Sequence, residues 1–395
     1  MPFLNRATPP HILTLVIATA VSALAINVFL PSLPGMARHF EADYALAQLT
    51  VSVYLAATAF LQLGIGPASD HFGRRPVMLV CLTLFVAGSA AALWAPTIEI
   101  LLAARVLQAF SAAGMVLGRA IVRDTVDTDE AASRIGYITM GMALVPMVAP
   151  MIGGLLDEIY GWRAPFALML GFGVLALVVV FLDLGETNHA KSSGMLAQVR
   201  AYPELFGSRQ FWGYTLTAAF NAGTFFAFLG GGPFVASELM GLRPSEYGMY
   251  FGLISLGYVF GNFLSGRYAR QMGINRMMLT GNAFSFTGIV IALTLFSLGI
   301  DHALALFGPM MLLGVGNGAT LPSANAGIVS VRPHLAGSAS GLGGALQLGL
   351  AAGLSTLAGI VVTAPAGALA LLGLMLVCAF AAVAAVFVVV YSGQS

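Results

Sequence analysis

GPASDHFGRRP, residues 66–76, places Asp70, His71, Arg74 and Arg75 close together in a 395-residue chain of which only 8% is charged. Long apolar runs lie on both sides. A helix needs roughly 20 predominantly apolar residues to cross about 30 Å of hydrocarbon, so a short charged segment between two such runs reads as the turn between two membrane spans. The rest of the chain repeats this pattern. With 58% hydrophobic residues and a mean hydropathy of +0.90, too little polar surface remains to face water. Breaks at charged and Pro/Gly-rich positions divide the chain into twelve spans, near 11–33, 46–67, 76–94, 98–118, 134–156, 164–183, 211–234, 246–268, 275–298, 302–322, 337–362 and 366–391. The runs are too long and too unalternating for a membrane barrel. The expected class is an all-α membrane protein.

Charge sets the orientation. Of 17 Lys and Arg residues, thirteen fall on the side of the termini: Arg6, Arg74, Arg75, Arg119, Arg123, Arg134, Lys191, Arg200, Arg209, Arg267, Arg270, Arg276 and Arg332. The positive-inside rule puts that side, and both termini, in the cytoplasm. "ATAVSALA" near the start resembles a small-residue cleavage site, but a single Arg6 precedes it and the apolar run overshoots a signal core, so retention is expected. Cys81 and Cys378 fall inside spans and imply no disulfide framework. A net charge of +1 argues against a nucleic-acid partner. There is no phosphate loop, metal-ligand cluster or nucleophile elbow, so neither an enzyme nor a cofactor is expected.

A shift of about 200 residues lays "FLPSLP" (29–34) beside "FLGGGPF" (228–234) and "GPASDHFG" (66–73) beside "GRYARQMG" (266–273). The expected domains are two related six-span bundles, 1–183 and 211–395, joined by a polar cytoplasmic connector at 184–210. Such a pair suits a transporter whose site lies near mid-membrane between rocking bundles.

Gly66-x-x-x-Asp70-x-x-Gly73-x-Arg75, with Arg74 before and Pro76 after, resembles the loop motif between the second and third spans of the major facilitator superfamily. "RVLQAFSAAG" (105–114) is similar to its fourth-span motif and "PMVAPMIGG" (146–154) to the fifth-span motif of its antiporters. "INVFLPSLP", "GPASDHFGRRPV", "FLGGGPFV" and "HLAGSASG" resemble, more narrowly, the Bcr/CflA drug exporters. The resemblance runs nearly end to end. It implies the twelve-span fold of two pseudo-symmetric bundles, an inner-membrane location, a small-molecule substrate and protons as a partner, working as one chain. It also implies that Asp70, with Arg75, faces the start of the eleventh span near Pro333 and "AGSASG" and latches the bundles in the outward-facing state. Pro146 and Pro150 would bend the fifth span, while Gly153 and Gly154 let a neighbouring backbone approach.

Arg105 lies about seven residues, or roughly 10 Å, into the fourth span. An unpaired guanidinium there is costly, so it is expected to order a polar network with Gln108, one turn on, or to meet an anionic part of a substrate. Asn27 departs from the Bcr/CflA pattern, in which an Asp can exchange a proton. The carrier then works without this site, or Asp70 or Glu99 titrates instead, or one state is locked. Tyr54, Tyr137, Asn221, Phe225, Asn325 and Gln347, on spans that line the cavity in the family, are substrate-binding candidates suited to moderately lipophilic molecules. Export of drugs or metabolites is the expected function. The alternative is import or facilitated passage of a defined solute such as a nutrient, peptide fragment or siderophore.

Overall fold

The computed structural model describes residues 4–6, 8–126, 128–188, 202–332, 335–363, 365 and 367–392, and among them every regular element is helical. Twelve helical rods follow one another: α1 (Ile12–His39), α2 (Tyr44–Phe72), α3 (Arg74–Leu93), α4 (Ile98–Thr125), α5 (Thr128–Tyr160), α6 (Arg163–Asp183), α7 (Arg209–Leu239), α8 (Pro244–Met272), α9 (Ile274–Ser297), α10 (Ala303–Ser330), α11 (Ala336–Val361) and α12 (Gly367–Ser392). Ten are long and apolar enough to cross a membrane; α5 and α8 complete the twelve. The rods outrun the apolar stretches. The 29 residues of α2 would extend about 44 Å at 1.5 Å per residue, beyond the roughly 30 Å of hydrocarbon, so its charged end stands in the interface.

Enclosure follows a period of three helices. The most apolar windows of α1, α4, α7 and α10 are 67, 56, 78 and 67% buried, whereas those of α3, α6, α9 and α12 are each 39% buried. The first and fourth rods of each half are therefore central and the third and sixth face lipid. α2 packs against α11, and α5 against α8; these two seams join the halves. The repeat also shows at the turns. Gly73 and Gly273 end the second rod of each half with φ of +106° and +81°, and their N–H groups bond back to Ser69 and Ala269 at 3.0 and 2.9 Å. Only glycine adopts such angles without strain.

Rods meet backbone to backbone where glycine removes the side chain. A Cβ at Gly114 on α4 would lie 2.1 Å from the Ala18 carbonyl of α1. Between α8 and α10 the clearances at Gly257, Gly261, Gly314 and Gly318 are all 2.1–2.2 Å to a facing carbonyl. With no hydrophobic drive between helices in lipid, such close van der Waals contact is what holds them.

Candidate functional site

Arg105 is fully buried. Its Nε donates to the Thr50 carbonyl at 2.8 Å, Nη2 to the Ala25 carbonyl at 2.9 Å, and Nη1 to Gln108 Oε1 at 2.5 Å. The guanidinium lies 4.4 and 4.5 Å from the ring centroids of Phe29 and Tyr54. Gln108 Nε2 passes the chain on to Ser89 Oγ at 3.0 Å. The Tyr54 hydroxyl is 2.8 Å from Ser111 Oγ, and Ser22 Oγ donates to the Ser111 carbonyl at 2.6 Å. One cation thus ties α1, α2 and α4, and through Gln108 also α3. Neutral carbonyls and two π-faces suffice because a guanidinium presents five donors in a fixed plane. The expected network is present, but in this conformation it is a strut within the first half. Arg105, Gln108 and Tyr54 have no open surface for a substrate to touch.

The other candidates are spread more widely. Asn27 is buried at the break in α1; its Nδ2 donates to the Ala23 carbonyl at 2.8 Å while Oδ1 has no partner. Asn221 is buried on α7, donates to Asn282 Oδ1 at 3.0 Å, and likewise keeps a bare Oδ1. Phe225, one turn on, is half-buried against Phe226 and Phe251. Gln347 is half-buried and Asn325 exposed. The side chain of Tyr137 lies outside the described residues. Glu99 is exposed in the first turn of α4, at the end away from the termini. Among the described residues no hydrogen bond joins the Arg105 group to the Asn221 group.

The face away from the termini is laced across the seams. Arg38 on α1 pairs with Glu238, which a wide π-type turn after Pro233 brings to the end of α7. Tyr44 donates from α2 to the Gly230 carbonyl of α7 at 2.8 Å, and Gln48 Nε2 to Ser355 Oγ of α11 at 2.6 Å. Gly230, within "FLGGGPFV", has no room for a Cβ, which would lie 2.6 Å from the Ser355 carbonyl. At the α5–α8 seam, Glu158 takes Arg243 and Ser245, and Ser255 Oγ donates to the Pro146 carbonyl at 3.1 Å. Gly154 meets the Pro244 carbonyl and Gly248 meets the Pro150 carbonyl, with Cβ clearances of 2.2 and 2.3 Å. Each helix thus sets a Pro-x-x-x-Gly segment against the other. The motif on α5 was legible in the sequence; its counterpart on α8, Pro244 to Gly248, carries the same spacing and was missed. Gly153, next along α5, seats against the Val28 carbonyl of α1 instead.

On the face of the termini, the charged side chains of the 66–76 loop are held locally. Asp70 pairs with Arg74 rather than turning to α11, and Arg74 Nε also pairs with Asp124 of α4 at 2.9 Å. Arg75 donates to the carbonyls of Leu184 and Phe181 at 2.8 and 3.3 Å. Among the described residues, which exclude Pro333, these contacts stay within the first half and Leu184 of the connector; the latch expected of the outward-facing state belongs to a form closed at this face. An i+4 cation within reach satisfies Asp70 locally. The polar stretch 183–188 completes the arrangement. Buried Asp183 accepts from the N–H groups of Leu4 and His11 and from Thr14 Oγ1. Asn188 donates to the Ser69 and Asp70 carbonyls at the end of α2. Glu186 accepts from the N–H of Arg74 at 2.9 Å and of Arg75 at 3.3 Å, capping α3 from a distance.

Burial alone would raise the Glu186 pKa, but backbone N–H donors from Asn188, Arg74, Arg75 and Thr187 hold it below the usual 4.5. A depressed carboxylate stabilises the fold fully above its unfolded value and loses that contribution as pH falls through its folded one. The melting temperature is therefore expected to drop as pH is lowered from about 4.5, more steeply in the parent protein than in Glu186→Gln. Identical acid profiles would remove Glu186 from the cap.

A cleft of about 180 Å³ opens on this face between the halves. Gln62, Gly66, Arg119 and Arg123 line one wall, and Tyr202, Gly337, Ser338 and Ser340 the other. On the opposite face a pocket of about 240 Å³ also lies between the halves, lined by Arg38 and Tyr44 on one side and Phe234 and Glu238 on the other, but there side chains of both halves bond across it, whereas no such bond crosses the cleft among the described residues. Residues 15–355 match the Major Facilitator Superfamily, and the chain belongs to that family. It is a multi-pass membrane transporter, not an enzyme. Among its relatives, the Bicyclomycin resistance protein homolog of Haemophilus influenzae is 29% identical over 88% of both chains. Multidrug resistance protein D of Escherichia coli is 28% identical over 85% of both. A bacterial homolog of the human lysosomal transporter Spinster shares the fold, with a TM-score of 0.73 at 16% identity over 97% of this chain and 95% of that one.

Proposed function

We propose that this transporter exports small, moderately lipophilic drugs or metabolites across the bacterial inner membrane by alternating access. One observation carries the reading: a cleft between the halves on the face of the termini, opposite a face where side chains of both halves are bonded together. The distribution of Lys and Arg makes the parted face cytoplasmic, with both termini there. The moving units are residues 1–183 and 211–395, with 184–210 as connector, and a single chain suffices. Phe225, Asn325 and Gln347 contribute the binding surface, and the amides of Asn27 and Asn221, buried in this conformation, join it as the halves move; the resistance-protein relatives favour a site for drugs.

Export is coupled to protons in this reading, though not at Asn27, whose amide does not titrate. Asp70 is held by Arg74 and Glu99 is exposed at the sealed end. The absence of an acid at Asn27 also favours the second reading, facilitated passage or import of a defined solute. Growth of a sensitive host in bicyclomycin, chloramphenicol and lipophilic cations, with and without the protein and at several external pH values, separates them. Raised tolerance that fades as external pH rises supports proton-linked export. Tolerance independent of pH retains export and removes the proton. Unchanged tolerance together with uptake of a labelled solute into de-energised vesicles overturns export.

A further inference from the structure

The cleft on the face of the termini has a one-sided chemistry. Arg119 and Arg123 stand one turn apart on α4 and both line it. The nearby carboxylates, Asp70 and Asp124, are both engaged by Arg74. Among the described residues neither Arg119 nor Arg123 has an ion pair. Arg119 Nε bonds to the Met115 carbonyl of its own helix at 3.2 Å, and among the described residues neither of its Nη groups has a hydrogen-bond partner.

The facing wall is the first turn of α11, a 26-residue helix. Its N-cap is Leu335, whose side chain cannot accept the first N–H groups, so the positive end of the helix meets the cleft at Gly337 and Ser338. Ser340 adds a hydroxyl. Gln62 of α2, whose amide lies near Gly344 of α11, has no acceptor for its enclosed Nε2 among the described residues. Donors and positive charge thus converge from both halves, and no described carboxylate among the lining residues answers them. Arg119 and Arg123 are exposed like charges one turn apart, whose modest mutual repulsion an anion between them would relieve.

We propose that this cleft binds an oxyanion, a carboxylate or phosphate group, between the arginines of α4 and the start of α11. The group belongs either to a soluble ligand, which makes the transported molecules anionic, or to a lipid headgroup. Because Arg119 and Arg123 lie on one half and Ser338 on the other, the bound anion bridges the parted face and favours its closure. The inference rests on the transport reading for its purpose, but binding can be measured without transport.

The test is calorimetric titration of phenyl phosphate, with phenol as the neutral control, into the full chain in phosphatidylcholine nanodiscs. Saturable binding of phenyl phosphate alone is expected, weakened at least about tenfold in Arg119→Gln/Arg123→Gln, in keeping with loss of charge-assisted bonds. Ser338→Asp, which sets a carboxylate in the facing wall without touching the arginines, should weaken it similarly and carries the test if the double variant does not fold. Arg267→Gln/Arg270→Gln, exposed cations outside the cleft lining, should bind as the parent does. Adding phosphatidylglycerol distinguishes the sources. Loss of phenyl phosphate binding in the parent assigns the cleft to a lipid headgroup, and persistence assigns it to a soluble ligand. Absent binding, or binding indifferent to Arg119, Arg123 and Ser338, overturns the proposal. Either outcome leaves drug tolerance of cells free to stand or fall separately.

Discussion

Arg105→Ala is expected to destabilise the first half by at least about 3 kcal/mol, because it empties a large buried volume and strands Gln108 Oε1 without its donor. The carbonyls of Ala25 and Thr50 lose a bond at the same time. At about 2.1 cal/mol/K of unfolding entropy per residue, a chain of 395 residues should lose roughly 4 °C or more in the melting temperature of the purified protein without any ligand. Arg105→Lys should recover only part, since a compact ammonium cannot reach three acceptors on three helices or lie flat between Phe29 and Tyr54. The ligand-free melt separates strut from substrate contact. A melting temperature within about a degree of the parent, with transport lost, would assign Arg105 to the substrate after all.

Two adjacent glycines should fail in different ways. A Cβ at Gly153 would stand 1.6 Å from the Val28 carbonyl, inside the first half, whereas one at Gly154 would stand 2.2 Å from the Pro244 carbonyl, across the seam. Backbone cannot yield as a flexible side chain can, so α5 must move as a body in either case. Gly153→Ala is therefore expected to lower the melting temperature. Gly154→Leu should leave each half folded but part α5 from α8 and loosen the sealed face. Ser355→Cys, buried beneath Gln48 of the other half, reports the difference. In a background with Cys81 and Cys378 replaced by alanine, a water-soluble maleimide should label it at least about tenfold faster in Gly154→Leu, a shift of about 1.4 kcal/mol or more between closed and open forms. Equal rates would show that the Pro-x-x-x-Gly contact does not hold the seal. The exposed pair Arg38–Glu238 should matter much less on its own, within about 1 kcal/mol.

The fold was legible because lipid leaves few choices: apolar runs of spanning length must be helices, and the charged turn at 66–76 fixes where two of them meet. Arg105 was legible in part. Its depth in α4 demanded a polar environment, but the acceptors are backbone carbonyls on α1 and α2, and every residue type offers a carbonyl. Gly153 and Gly154 announced a close approach without saying that they face different partners. Asp70 is a different case. Arg74, four residues on, holds it here, whereas the contact with α11 was expected of the outward-facing state, and spacing alone does not say which conformation a structure shows. Glu186 and Asn188 were missed inside a polar stretch that read only as connector; a carboxylate and an amide capping helices more than a hundred residues away leave no periodic trace.

Pulsed electron-spin distances on two label pairs bear most directly on halves that rock about the α5–α8 seam. One pair, Asp43→Cys with Leu239→Cys, spans the sealed face; the other, His71→Cys with Gly337→Cys, spans the parted one, and all four positions are exposed. Between the parent and Gly154→Leu the first distance should lengthen while the second shortens. Two distances that stay fixed, or that grow together, would mean a single rigid block or a loosened one, and not a carrier that opens its faces in turn.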